Sequence, residues 1–281
     1  MKIIECPRDA MQGLVRQIPT RDKADYLNQL LRVGFHTLDF GSFVSPRAVP
    51  QMRDTRDVLG LLDLQTTSTR LLAIVANVRG AQATLDFPEI TYLGFPLSIS
   101  ETFQQRNTNQ SVQAAFELVP VLNDICMKSG RELVVYLSMG FGNPYGDPYS
   151  VDRVLEFVSR LDALEIPIVS LSDTMGQATS EAIRTLFDAV VPSFPKIEFG
   201  AHLHAFADRA IEKVKAARQG GCQRLDGALL GYGGCPMAAD ELVGNIDTEL
   251  ILSVTGYDGM DLNEFGKAKE MATTLFMTYG N

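Results

Sequence analysis

A chain of 281 residues with 46% apolar and 21% charged side chains has ample material for a large core and gives no compositional case for disorder. Its formal net charge of -9 argues against a nucleic-acid partner, because phosphate binding needs clustered Lys and Arg, although Arg47, Arg53 and Arg56 lie close enough in sequence to serve a phosphorylated cofactor. No apolar run approaches the roughly 18 to 20 residues of a membrane span, and no signal or transit pattern opens the sequence, so no membrane partner is expected and a cytoplasmic location is.

Eight β-rich runs recur along the chain: Lys2 to Cys6, His36 to Gly41, Arg70 to Asn77, Glu89 to Phe95, Glu132 to Met139, Pro167 to Thr174, Lys196 to His204 and Arg224 to Leu230. Helical stretches separate them. Thr20 is placed to cap a helix carrying Ala24, Leu27, Leu30 and Leu31, with Gly34 just beyond its end. After Ser150, the stripe Val151, Val154, Leu155, Val158 and Leu161 has the spacing of a helix packed on a sheet. Strict alternation implies parallel strands, and eight units are the number that closes a (β/α)₈ TIM barrel, read here as one domain over residues 1–281. The open doubly wound sheet is the alternative, but neither GxGxxG nor GxxxxGK[ST] is present.

The strongest chemical signal is His202 and His204 at the end of the seventh strand. Residues two apart in a strand point to the same side, so both imidazoles face one point at the barrel mouth. From the pair alone, a polar lining without metal is about as good a reading as chelation. Arg8-Asp9, directly after the first strand, adds a carboxylate at the same C-terminal mouth, and strands seven, eight and one are contiguous in a closed barrel. One carboxylate and two imidazoles suit a divalent cation that polarises substrate oxygens, Mg²⁺ or Mn²⁺ in preference, with Zn²⁺ or ferrous iron compatible. The loop Gly231 to Pro236 presents Cys235 beside that site, whereas Cys6, Cys126 and Cys222 read as packing.

Taken together these residues resemble the 3-hydroxy-3-methylglutaryl-CoA lyase branch of the metal-dependent TIM-barrel lyases, over nearly the whole chain. The resemblance is carried by Pro7 to Gln12, by Ser42-Phe43-Val44-Ser45-Pro46 with Val49 to Met52, by Ser170 to Gly176, by Gly233 to Ala238 and by Gly244-Asn245. The sister condensing enzymes share the Arg-Asp and His-x-His elements, but the SFVSP and GxGGCP runs are those of the lyases. The resemblance implies an acyl-CoA substrate, metal ligation by Asp9, His202, His204 and Asn245, enolate stabilisation by Arg8, proton transfer by Cys235, catalytic participation of His202, and a pocket lined by Gln12, Ser42, Ser170, Asp173 and Thr174. It also implies a homodimer, and leucine breakdown if the substrate is confirmed.

The sequence departs from the family at three places. Asp39 stands where the lyases carry Glu, retracting a catalytic carboxylate by one methylene. Ala205-Phe206-Ala207-Asp208-Arg209-Ala210 replaces the HDTYGQA run after the second histidine, and Asn143 replaces a Cys. Two other readings of the same residues are an acyl-CoA condensing enzyme or 2-keto-acid aldolase, and a barrel that binds metal without turnover.

Overall fold

The computed structural model describes residues 1–234 and 243–280. Its eight strands are β1 (Lys2–Glu5), β2 (Thr37–Ser42), β3 (Arg70–Ile74), β4 (Ile90–Ser98), β5 (Glu132–Ser138), β6 (Ile168–Asp173), β7 (Glu198–Leu203) and β8 (Arg224–Gly227). All pair in parallel with their sequence neighbours, and β8 pairs with β1 through Lys2–Arg224 and Ile4–Asp226 to close the barrel.

The helices are α1 (Pro7–Gln12), α2 (Thr20–Leu31), α3 (Thr55–Leu59), α4 (Val78–Ala83), α5 (Glu101–Thr108), α6 (Val112–Lys128), α7 (Val151–Ala163), α8 (Ser180–Ser193), α9 (Ala207–Gln219), α10 (Thr248–Thr255) and α11 (Leu262–Tyr279). Among the described residues no helix is long and apolar enough to cross a membrane. Ser150 caps α7 by accepting from the Arg153 amide, and the expected stripe buries Val154, Val158 and Leu161. Thr20 behaves otherwise. It is the first residue of α2 rather than its cap, because its hydroxyl is drawn sideways to donate to Asp54 Oδ2 at 2.7 Å.

Strand parity divides the core in two. Leu38, Leu71, Leu93, Val135, Val169, Ala201 and Leu225 face outward into the layer beneath the helices, while Leu72, Tyr92, Val134, Tyr136 and Ile168 fill the barrel interior. Arg224 lies fully buried at the lower end of that interior, its guanidinium 5.4 Å from the centre of the Tyr92 ring. Gly200 makes room for it, since a Cβ there would fall 2.7 Å from Arg224 Cγ. Above this apolar plug the inward positions turn polar, with Asp39, Asp226 and His202, then Ser138 and Ser172. The fold therefore delivers its polar side chains to the C-terminal mouth.

Candidate active site

At the mouth, Pro7 starts α1 immediately after β1, where its fixed φ suits the first helical turn, and this short helix presents Arg8, Asp9 and Gln12 over the barrel. Arg8 is the hub. Its Nε donates to both Asp39 oxygens at 3.1 and 3.2 Å, Nη2 to Asp39 Oδ2 at 2.5 Å and Nη1 to Asp9 Oδ1 at 2.9 Å. The shorter Asp39 thus still reaches the guanidinium. Burial and the neighbouring Asp9 and Asp226 charges push its carboxyl up to about 6 against the pull of Arg8.

Asp9 also accepts from Gln12 Nε2 at 2.7 Å and from Asn245 Nδ2 at 2.6 Å. Burial alone would raise its carboxyl. Arg8, the two imidazoles and the Asn245 hydrogen bond outweigh burial and hold it below the ordinary carboxylate range. Asn245 is placed by an antiparallel bridge to His204 and by donating to the Tyr232 carbonyl at 2.9 Å, so the loop after β8 is tied to both β7 and α1.

The imidazoles of His202 and His204 lie edge to face with centroids 5.1 Å apart. His202 Nδ1 is 3.1 Å from Asp226 Oδ2, and that contact keeps its proton-bound form favoured despite burial. His204 is the opposite case: burial, then the neighbouring His202, brings it down to about 4, leaving a neutral ring at pH 7. Its Nδ1 is buried without a hydrogen-bond partner among the described residues. Such an orphan costs free energy unless something completes it.

The residue types gathered here suit a divalent cation. An ionised Asp9, a neutral His204 with an unused nitrogen, His202 and the Asn245 side-chain oxygen form an oxygen and nitrogen donor set for a hard or borderline ion. Among the described residues, the grouping whose donor atoms already fall within 4.8 Å of one another is a deeper one, Cys6, His202 and Asp226, whereas those of Asp9, His202 and His204 stand farther apart. It is the poorer site for a hard ion: burial and the surrounding Asp226, Asp39 and Asp9 charges push the Cys6 thiol well up, and Asp226 already orients His202. Cys6 is nonetheless no ordinary packing residue, since it faces the imidazole rather than the helices.

The mouth encloses a cavity of about 490 Å³ whose walls include Arg8, Asp9, Gln12, Ser42, Ser172, Thr174, His202 and His204. Asp39 and Asn245 sit behind that wall, bracing Arg8 and Asp9. Ser170 is one inward position below Ser172, and its hydroxyl has no partner among the described residues. Asp173 departs from expectation. Alternation along β6 turns it away from the cavity, where Lys213 of α9 donates to it at 2.7 Å and the Gln177 and Ala178 amides donate at 3.1 Å. Cys235 lies outside the described residues.

The other two departures have local consequences. Asn143 Oδ1 accepts from the amides of Tyr145 and Asp147, and Asp147 in turn accepts from Ser100 and Thr102, so this Asn builds a turn that ties the β5–α7 loop to α5. After His204, Phe206 takes the N-cap position of α9 and supplies no side-chain cap. Sequence reading missed Asp226 and Lys213. Asp226 becomes visible only from the β7–β8 register, which sets it opposite His202.

A family model described as HMGL-like matches residues 2–267. The chain is 32% identical over 246 residues to hydroxymethylglutaryl-CoA lyase YngG of Bacillus subtilis, covering 88% of this chain and 81% of the relative. In structure it is similar to the HMG-CoA lyase of the same species, with TM-score 0.90 and 29% identity over 100% of this chain and 94% of the other. It is likewise similar to an HMG-CoA lyase from Acinetobacter baumannii solved with coenzyme A and 3-methylmalate, with TM-score 0.89 and 26% identity over 98% and 90% of the two chains.

Proposed function

The chain belongs to the HMGL-like family of carbon–carbon lyases, and from that premise we propose that it cleaves 3-hydroxy-3-methylglutaryl-CoA, or a closely related 3-hydroxyacyl-CoA, to a ketone product and an acyl-CoA. For the first substrate the products are acetoacetate and acetyl-CoA. The observation that carries this reading is the convergence of Arg8 and Asp9 with His202 and His204 on one mouth cavity, braced by Asp39 and Asn245.

The reaction breaks the bond between the carbinol carbon and the carbon next to the thioester. The hydroxyl proton leaves to a base, the carbinol becomes a ketone, and the bonding pair passes into a thioester enolate that then takes a proton at carbon. His202 suits the first step because Asp226 makes its ring a better proton acceptor. Arg8 suits the second: Asp39 and Asp9 fix its guanidinium before substrate arrives, so it meets the developing negative oxygen without reorganising. Cys235 takes the proton-returning role that the family resemblance assigns it. Asp9, His202, His204 and Asn245 would hold the divalent cation, Mg²⁺ or Mn²⁺ in this reading, which when bound withdraws charge from the substrate's hydroxyl and carbonyl oxygens. Gln12, Ser42 and Thr174 line the acyl pocket. On the same reading residues 1–281 are one lyase domain of a cytoplasmic homodimer.

Purified protein incubated with 3-hydroxy-3-methylglutaryl-CoA and Mg²⁺ or Mn²⁺ should release acetoacetate, and a chelated control should not. Consumption of acetyl-CoA, or cleavage of a keto-acid without CoA, would reassign the site to condensing or aldolase chemistry.

A further inference from the structure

Three neighbouring strands bring a thiol, an imidazole and a carboxylate to one point beneath the mouth. β8 lies between β1 and β7, and the register sets Ile4 and His202 on either side of Asp226. Cys6, two residues beyond Ile4, is fixed by its amide donating to the Gly227 carbonyl at 2.8 Å. The donor atoms of Cys6, His202 and Asp226 lie within 4.8 Å of one another. His202 Nδ1 and Asp226 Oδ2, at 3.1 Å, already have the spacing of two ligands on one tetrahedral zinc, whose bonds run about 2.0 to 2.3 Å.

Hydrogen bonding within the fold leaves this trio incomplete. Among the described residues, Asp226 Oδ1 is buried without a partner and the Cys6 thiol has no acceptor nearer than the Ile4 carbonyl at 3.8 Å. A buried carboxylate oxygen left so costs free energy until something completes it. Charge favours a cation there: Asp226, Asp39 and Asp9 all act on the thiol, against Arg8. A doubly charged ion would be balanced by one thiolate and one carboxylate, leaving a neutral buried unit. Sulfur decides which ion. Mg²⁺ and Mn²⁺ favour oxygen, whereas thiolate with imidazole and carboxylate is a donor set for Zn²⁺.

We propose that Cys6, His202 and Asp226 form a second metal site, selective for Zn²⁺ over Mg²⁺ and Mn²⁺, with its fourth position open toward the mouth cavity that His202 lines. The ion enters through that cavity. A neutral imidazole has one free lone pair, so His202 serves either this site or the cation at the mouth. Zinc held below therefore withdraws a ligand from above and arrests turnover. That consequence rests on the lyase reading; the binding itself does not.

Cobalt(II), which takes zinc's place and gives a thiolate-to-metal charge-transfer band, reports the site without turnover. Cys235→Ala removes the thiol that the family resemblance assigns to the mouth, so a band in that variant arises from another cysteine. Cys235→Ala should show the band with stoichiometric Co²⁺ and lose it when Zn²⁺ is added. Combining it with Cys6→Ala should abolish the band while Mn²⁺ affinity stays as in Cys235→Ala, and combining it with Asp226→Asn should weaken Co²⁺ binding at least about tenfold. X-ray absorption of zinc-loaded Cys235→Ala should find one sulfur at about 2.3 Å, a reading that needs no change at Cys6. No band in Cys235→Ala, a band that survives Cys6→Ala, or zinc bound without sulfur overturns the proposal and leaves the lyase reading intact. Zinc should also inhibit acetoacetate release by the wild-type protein far more than by Cys6→Ala, and equal inhibition overturns the competition for His202. Absence of turnover before zinc is added counts against the lyase reading alone.

Discussion

Arg8 donates to two carboxylates at the mouth, and its position depends on Asp39, which accepts from it three times. Asp39→Asn keeps the volume but removes the charge that opposes the guanidinium and halves its acceptor set. The hydrogen-bonded frame should loosen by tenths of an ångström to an ångström, enough to cost about a hundredfold in turnover. Stability should fall by about 1 to 3 kcal/mol, the range for a weakened buried hydrogen-bonded charge. Steady-state kinetics and urea unfolding read the two effects separately. Turnover equal to wild type, in a protein where Arg8→Met is inactive, would show that Asp39 fills space and does not position the arginine.

At the scale of elements, the mouth is stiffened by one lysine that the local sequence does not advertise. Lys213 of α9 is buried and donates to Asp173 Oδ2, to the Gly176 carbonyl and to the His204 carbonyl, at 2.7, 2.8 and 2.9 Å. It therefore joins a helix to the ends of two neighbouring strands, directly beneath an imidazole of the site. Lys213→Met should cost about 3 to 5 kcal/mol by leaving Asp173 charged and unpaired. It should also weaken Mn²⁺ binding about 10- to 100-fold through displacement of His204, measured by titration of the folded protein. A fully stable variant with unchanged Mn²⁺ affinity would refute that role. The contrast between Asp173 and Lys213 marks what a sequence can disclose. Eight alternating β-rich runs were enough to place Arg8, Asp9, His202 and His204 at one mouth, because strand order and parity follow from short-range patterns. The resemblance puts Asp173 in the pocket because it stands in a motif beside Ser172, and one residue of parity sends it to the other face. Lys213 pairs with it across forty positions of chain. Asp226 carries no motif and gains meaning only opposite His202.

For the molecule as a whole, the seam where the barrel closes is also a pH-dependent joint. Glu5, on the outward face of β1, accepts from the Leu229 amide at 2.8 Å and from the Thr248 hydroxyl at 2.5 Å, linking the first strand to the segments that follow the last. It is wholly buried, and burial pushes its carboxyl up to about 8 despite those two hydrogen bonds. The folded state therefore keeps a proton that the unfolded chain, titrating near 4.5, has already released. Stability contributed by that proton is fully present below pH 4.5 and drains away as pH rises toward 8, by an amount on the order of 5 kcal/mol at most. Asp39, raised to about 6, acts in the same sense over a lower range. His36 and His204, both brought down to about 4, act in the opposite sense until pH 6.5, where the unfolded imidazole loses its proton. Between pH 6.5 and 8 those opposing groups are spent, and His202, whose proton is favoured by Asp226, adds to the loss. The urea midpoint of the wild-type protein should accordingly fall across this interval. Glu5→Gln, which can still accept from Leu229 and donate to Thr248, should flatten the fall without unfolding the barrel. An equal slope in wild type and variant would mean that the seam carboxylate is charged in the folded protein, and that the joint between β1 and β8 is held by hydrogen bonds to an anion instead.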